Sequence, residues 1–103
     1  MSQNLVRTGR ARAAALSRKL KGYGWYVTPA DAQITERGVR VKSAQDGRVT
    51  IDVTFYGHEA RLDYAERLAM HAVGMGYVVE REHASEKPSG YYVITLSHPN
   101  WEK

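Results

Sequence analysis

Six basic side chains, Arg7, Arg10, Arg12, Arg18, Lys19 and Lys21, fall within the first 30 residues, and no acid accompanies them. The remaining residues carry nine bases and eleven acids, so the formal net charge of +4 belongs to the N-terminal segment alone. On a helical wheel Arg7, Arg10, Arg18 and Lys21 lie within about 80° of one another, opposite Leu16, with Arg12 and Lys19 flanking the apolar edge. Ala11 and Ala14 sit among the four, so little bulk separates their charges. Long cationic arms on a face that can approach closely are what tracking a phosphate backbone requires. A solvated helix face also carries charge, but seldom six bases without one acid to offset them.

Aromatic residues are the second chemical signal: seven Tyr and two Trp against one Phe. Tyrosine suits half-exposed positions, with an apolar ring and a wet hydroxyl. The strand alternation expects Tyr26, Tyr56 and one of Tyr91 or Tyr92 on the sheet face away from the helices, with Arg40, Lys42 and Thr54. Aromatics interleaved with bases on an open sheet are how single-stranded nucleic acid is stacked and neutralised. The same surface would serve a protein partner, since Tyr, Trp and Arg are the usual hot-spot residues.

The remaining reactive residue types point away from catalysis. His58, His71, His83 and His98 occur singly, without an HExxH or an i,i+4 pair, so no metal site is expected. There is no cysteine, no GxSxG and no serine tied by sequence to a histidine, hence no expected catalytic residue. Asp52, Glu80 and Glu82 project from strands, where Arg40 and Arg81 make surface ion pairs the plainer reading. The glycine pairs Gly22/Gly24 and Gly74/Gly76 suggest a phosphate loop, but such a loop needs a helix N-terminus. These glycines follow helices, where glycine supplies a left-handed cap at the negative end of the dipole.

What must position these residues is one small domain, 1–103. At 103 residues, 43% hydrophobic and 25% charged, the composition is globular, and without cysteine the fold uses neither disulfides nor thiolate zinc. No apolar run is long enough to span a membrane. An acid-free, Arg-rich start also resembles a transit peptide, a reading set aside because the segment recurs inside the fold. Shifting the chain by 52 positions aligns 12–43 with 64–95, with eight identities: Ala13/Ala65, Leu16/Leu68, Gly22/Gly74, Gly24/Gly76, Val27/Val79, Ala32/Ala84, Gly38/Gly90 and Val41/Val93. Two pseudo-repeat units follow, about 8–57 and 58–103.

Periodicity predicts helices from Asn4 or Thr8 to Lys21 and from His58 to Val73. Leu5, Ala13, Leu16, Leu20 and Tyr23 face inward on the first, and Leu62, Ala65, Leu68, Ala69, Ala72 and Val73 on the second. Strands are predicted at Trp25–Thr28, Val39–Lys42, Arg48–Tyr56, Tyr77–His83 and Tyr91–Ser97, with a Gln45-Asp46-Gly47 hairpin turn and a second hairpin through Ser85–Gly90. Trp25 is expected in the core. The expected architecture is α+β: a two-layer sandwich of two helices on one face of a mainly antiparallel five-stranded sheet, ordered α-β-β-β-α-β-β.

The helix–three strands–helix order over 8–74 is similar to that of the double-stranded-RNA-binding domain. The resemblance is one of element order only. That family carries a lysine cluster at the start of its second helix, and the corresponding residues here are His58-Glu59-Ala60-Arg61, so its function is not carried over. The short, Cys-free, Ala/Arg/Gly/Val-rich chain also resembles small phage or accessory-genome proteins. The expectation is therefore a cytoplasmic, non-catalytic binding module without cofactor or metal. It takes nucleic acid or another polyanion on Arg7, Arg10, Arg18, Lys21, Tyr26, Arg40, Lys42 and Tyr56; an acidic protein surface is the alternative partner. The 52-residue shift also leaves the second unit without a third strand. A free Tyr91–Ser97 edge, or Trp101 in the tail, is accordingly expected to mediate a homodimer unless Trp101 folds back as a lid.

Overall fold

A computed structural model describes residues 2–28, 38–44, 46–54, 58–84, 91–99 and 101, with side chains in the two helices from Thr8 and Glu59 onward. The elements are α1 (Ser2–Gly22), β1 (Val39–Ser43), β2 (Val49–Val53), α2 (His58–Gly74), β3 (Val78–Ala84) and β4 (Tyr92–Ser97). They form a four-stranded antiparallel sheet in the order β1-β2-β4-β3. The α+β class holds, but the five-strand expectation does not. Trp25–Thr28 makes a single parallel bridge, Val27 to Val39, in place of a strand. The bridge consists of Thr28 N donating to Val39 O and Val39 N to Tyr26 O, each at 2.8 Å. Trp25 explains why the segment leaves the sheet: its indole turns into the helix layer, edge-on to Tyr64 at 5.2 Å and to His71 at 5.5 Å. Among the described residues two strands, not three, therefore separate the helices, and the element-order likeness to double-stranded-RNA-binding domains is lost with the expected first strand.

The helices form where the apolar spacing predicts. Ala13, Leu16 and Leu20 of α1 and Ala65, Leu68 and Ala72 of α2 are buried, against Val39 and Val41, Val49, Ile51 and Val53, and Ile94 and Leu96 from three adjacent strands. Both helices end alike. Trp25 N donates to Leu20 O and Gly24 N to Lys21 O, while Tyr77 N donates to Ala72 O and Gly76 N to Val73 O. This is the paired bonding of a Schellman motif, closed by Gly24 at φ +94° and Gly76 at φ +100°. The 52-residue shift is thus reproduced hydrogen bond for hydrogen bond at the helix exits. It fails in the sheet: Val41 is buried under α1, whereas its counterpart Val93 is paired with Asp52 and His83 on the opposite face. Two expected core residues also end outside, Tyr23 because it lies beyond the helix end and Val73 on the outer flank of α2. Trp25 is half-buried against the core.

The expected Tyr91–Ser97 edge is not an edge. β4 pairs with β2 through Val49–Leu96, Ile51–Ile94 and Val53–Tyr92, and with β3 on its other side. The reason is that β2 of the first unit fills the place the repeat leaves vacant beside β4, joining the units into one sheet. β3 is the outer strand instead. A bulge between Val79 and Arg81 and the exposed Glu80, Arg81, Glu82 and His83 give it the charged, irregular character that resists strand addition. Trp101 takes the lid arrangement, edge-on to Tyr77 at 5.5 Å and beneath the Arg12 guanidinium at 4.6 Å.

Candidate nucleic-acid interface

α1 carries its cations outward because its opposite side is committed to the sheet. Leu16 and Leu20 are fully buried, and Gly9 lets the helix approach the β1–β2 hairpin so closely that an added Cβ would lie 3.2 Å from Ser43 Cβ. Arg10, Arg18, Lys19 and Lys21 are all exposed. Among the described residues none of the four has an ion pair or a side-chain hydrogen bond. Lys19 and Lys21 lie in the last turn, where the helix dipole favours positive charge. Arg7 lies on the same helix, but its side chain is outside the described set.

Arg12 behaves differently. Its guanidinium donates to Gly47 O at 2.8 Å and to Trp101 O at 3.5 Å while covering the Trp101 ring. It ties α1 to the hairpin and the tail, and it leaves the basic stripe to its neighbours.

Most of the other described basic side chains are engaged. Arg48 pairs with Asp46 at 2.5 Å and approaches Glu80 at 4.0 Å, and Arg67 pairs with Asp63 one helical turn away. Arg40 donates to Asp52 at 3.1 Å and Lys42 lies 3.5 Å from the same carboxylate. Arg40 and Asp52 are only 8% and 4% exposed, so the expected surface ion pair is a buried one. Arg61, on the inner side of α2, is buried and has interactions of its own. Arg81 is the one other described base without a partner.

The described part of the expected basic and aromatic sheet face is engaged within the fold. Arg40 sits behind Asp52 with its guanidinium 5.9 Å from the half-buried Tyr91 ring. Lys42 shares the same carboxylate, and Tyr56 lies outside the described residues. Tyr26 is 57% exposed and stands beside the β1 edge, next to the Val27–Val39 bridge. It is held there by Tyr26 N donating to the Tyr64 hydroxyl at 3.1 Å and by its carbonyl accepting from Val39 N. What the structure does bring together is α1 and this segment. Ala13, Ala14, Ser17 and Lys21 face Val27, Thr28 and Val41 across a groove of about 350 Å³. The alternation could not show that groove, since it depends on Val27 bridging β1 and not joining the sheet.

A second hollow, of about 370 Å³, lies at the hairpin end between Arg12, Arg48, Glu80, His98 and Trp101. Its arginines are already occupied by the contacts given above, and His98 is held edge-on against Tyr77 at 5.1 Å. We read it as the seam that closes the tail on the sheet. The sequence signalled only part of it, through Trp101 as a possible lid.

Among the described residues no three His, Cys, Asp or Glu side chains converge as metal ligands would, and no helix is long and apolar enough to cross a membrane. The titration of Tyr92 is set by its surroundings. Burial, the hydrogen bond its hydroxyl donates to Glu82, and the charges of Glu82 and Glu66 push the phenol up to about 12. The folded state then keeps a proton that the unfolded chain loses near pH ~10. The resulting stability is intact below that pH and disappears as pH rises toward about 12. Thermal melts across this range should show an alkaline decline that Tyr92→Phe reduces; identical profiles for both proteins would refute the assignment.

No protein-family model matches the chain, and neither a curated protein nor a solved structure matches it.

Proposed function

We propose that the chain is a non-catalytic binding module whose first helix takes the phosphate backbone of a nucleic acid. One observation carries the reading: uncompensated positive charge is concentrated on α1. Arg10, Arg18, Lys19 and Lys21 are exposed without a counter-charge, while every other described base except Arg81 is held by a carboxylate, a carbonyl or an interior contact. Leaving four cations unpaired on one helix is electrostatically unfavourable unless something else neutralises them, and a polyanion does so with release of its own counterions.

Titration of a labelled oligonucleotide at several salt concentrations tests this. Three to four phosphate contacts give a log–log slope of about −2 to −3.5. Arg10→Glu with Arg18→Glu should weaken binding by on the order of 100-fold or more while leaving the melting curve near that of the parent, since neither side chain touches the core. A parent that binds no nucleic acid at low salt, or a double variant that binds as the parent does, overturns the reading. An acidic protein surface would then be the partner to seek for these cations.

A further inference from the structure

The flank of α1 that carries Arg10 and Lys21 is also one wall of the groove facing Val27 and Thr28. Its floor is made of small side chains, Ala13, Ala14 and Ser17, so a chain lying in it could come close to the helix. Arg10, Ala14, Ser17 and Lys21 follow one another along the helix surface, a rise of about 16 Å at 1.5 Å per residue. Next to the Val27–Thr28 wall stands the ring of Tyr26, 57% exposed, whereas Tyr23 lies edge-on to His71 of α2 at 4.7 Å.

From this arrangement we infer that the nucleic acid bound is single-stranded, its phosphates following the Arg10–Lys21 row and a base stacking on Tyr26. The inference rests on the α1 reading above and adds the state of the strand and the path it takes. Three physical points support it. Phosphates are favoured along the flank, where Arg10 and Lys21 supply uncompensated positive charge, and the uncharged Tyr26 ring is left for a base. Tyr26 is a prepared platform: its backbone N–H and carbonyl are both hydrogen-bonded, so its main chain loses little freedom when a base lands on the ring. Finally, every single-stranded base presents a π-face, whereas a duplex hides its bases in the stack and offers none to an exposed tyrosine.

Three probes with equal numbers of phosphates separate this inference from the reading beneath it: an oligothymidylate strand, a duplex and an abasic deoxyribose-phosphate strand. Binding is measured by fluorescence anisotropy at one salt concentration. The oligothymidylate should bind about tenfold more tightly than the abasic strand, with the duplex also weaker. Tyr26→Ala should lower oligothymidylate affinity about tenfold and leave the abasic strand unchanged, and Tyr26→Phe should retain the parent affinity. A duplex or abasic strand that binds as tightly as oligothymidylate, still sensitive to Arg10→Glu/Arg18→Glu, overturns the single-strand inference and leaves the α1 reading standing. If none of the three probes binds, both fall together.

Discussion

Asp52→Ala should destabilise the fold by about 3–5 kcal/mol, because it removes the carboxylate that faces a buried guanidinium. Asp52 and Arg40 are opposite residues on β2 and β1, 4% and 8% exposed, with Arg40 donating to the carboxylate at 3.1 Å. A cation so far out of water depends on that partner, and Lys42 at 3.5 Å adds a second charge that would lose its counterion. Small domains have only about 5–15 kcal/mol in total, so the loss is a large share of what holds the chain folded. The cost belongs to the broken pair, not to the pair's net worth. Replacing both residues together, Arg40→Met with Asp52→Val, should restore much of the loss, since apolar substitutes of similar size often serve as well as a buried ion pair. Urea denaturation of the parent, both single variants and the double variant closes the cycle. If Asp52→Ala costs less than about 1 kcal/mol, the pair behaves as a solvent-screened surface contact.

That pair also shows how far the sequence alone reaches. Strand alternation correctly puts Arg40 and Asp52 on the face opposite Val39, Val41, Ile51 and Val53, because a period of two is a local property. Their burial is not local. It follows from β1 and β2 pairing in the register that sets residue 40 across from residue 52, and from β4 closing against β2. The helix exits were legible for the converse reason: a Schellman cap is written within six residues, and Gly24 and Gly76 stand where its left-handed position falls. Strand order failed because the 52-residue shift describes each unit by itself. Which strand of one unit meets the other unit is a tertiary choice, and Ile51 and Ile94 make it by pairing at the centre of the sheet over the buried helix faces. The cations of α1 were visible from composition, since no nearby acid was available to pair with them. The groove beside them was not, because Trp25 has to leave the sheet before the groove exists.

Gly38 is where that departure is enforced, and Gly38→Ala should cost about 3 kcal/mol. Its φ of +134° lies in a region L side chains rarely adopt, and a Cβ there would stand 2.8 Å from both Tyr26 O and Thr28 Cγ2. Neither neighbour gives way freely. Tyr26 O accepts from Val39 N, and Thr28 N donates to Val39 O, so moving either breaks the bridge that holds the segment to β1. Gly38 cannot retreat the other way, because its carbonyl accepts from both Thr54 N at 2.9 Å and Thr54 Oγ1 at 3.0 Å. The methyl group therefore acts as a wedge between β1 and the segment carrying Tyr26, Val27 and Thr28. Gly22→Ala is the matched control: an added Cβ there meets nothing within 4 Å, and the residue is the last of α1, so the change should be neutral or stabilising by up to about 1 kcal/mol. Because the wedge displaces one wall of the groove, Gly38→Ala should also weaken oligothymidylate binding more than abasic-strand binding in conditions where the variant is folded. Equal melting temperatures for Gly38→Ala and Gly22→Ala would show that the 26–28 segment is not pinned to β1, and the platform assigned to Tyr26 would lose its anchor.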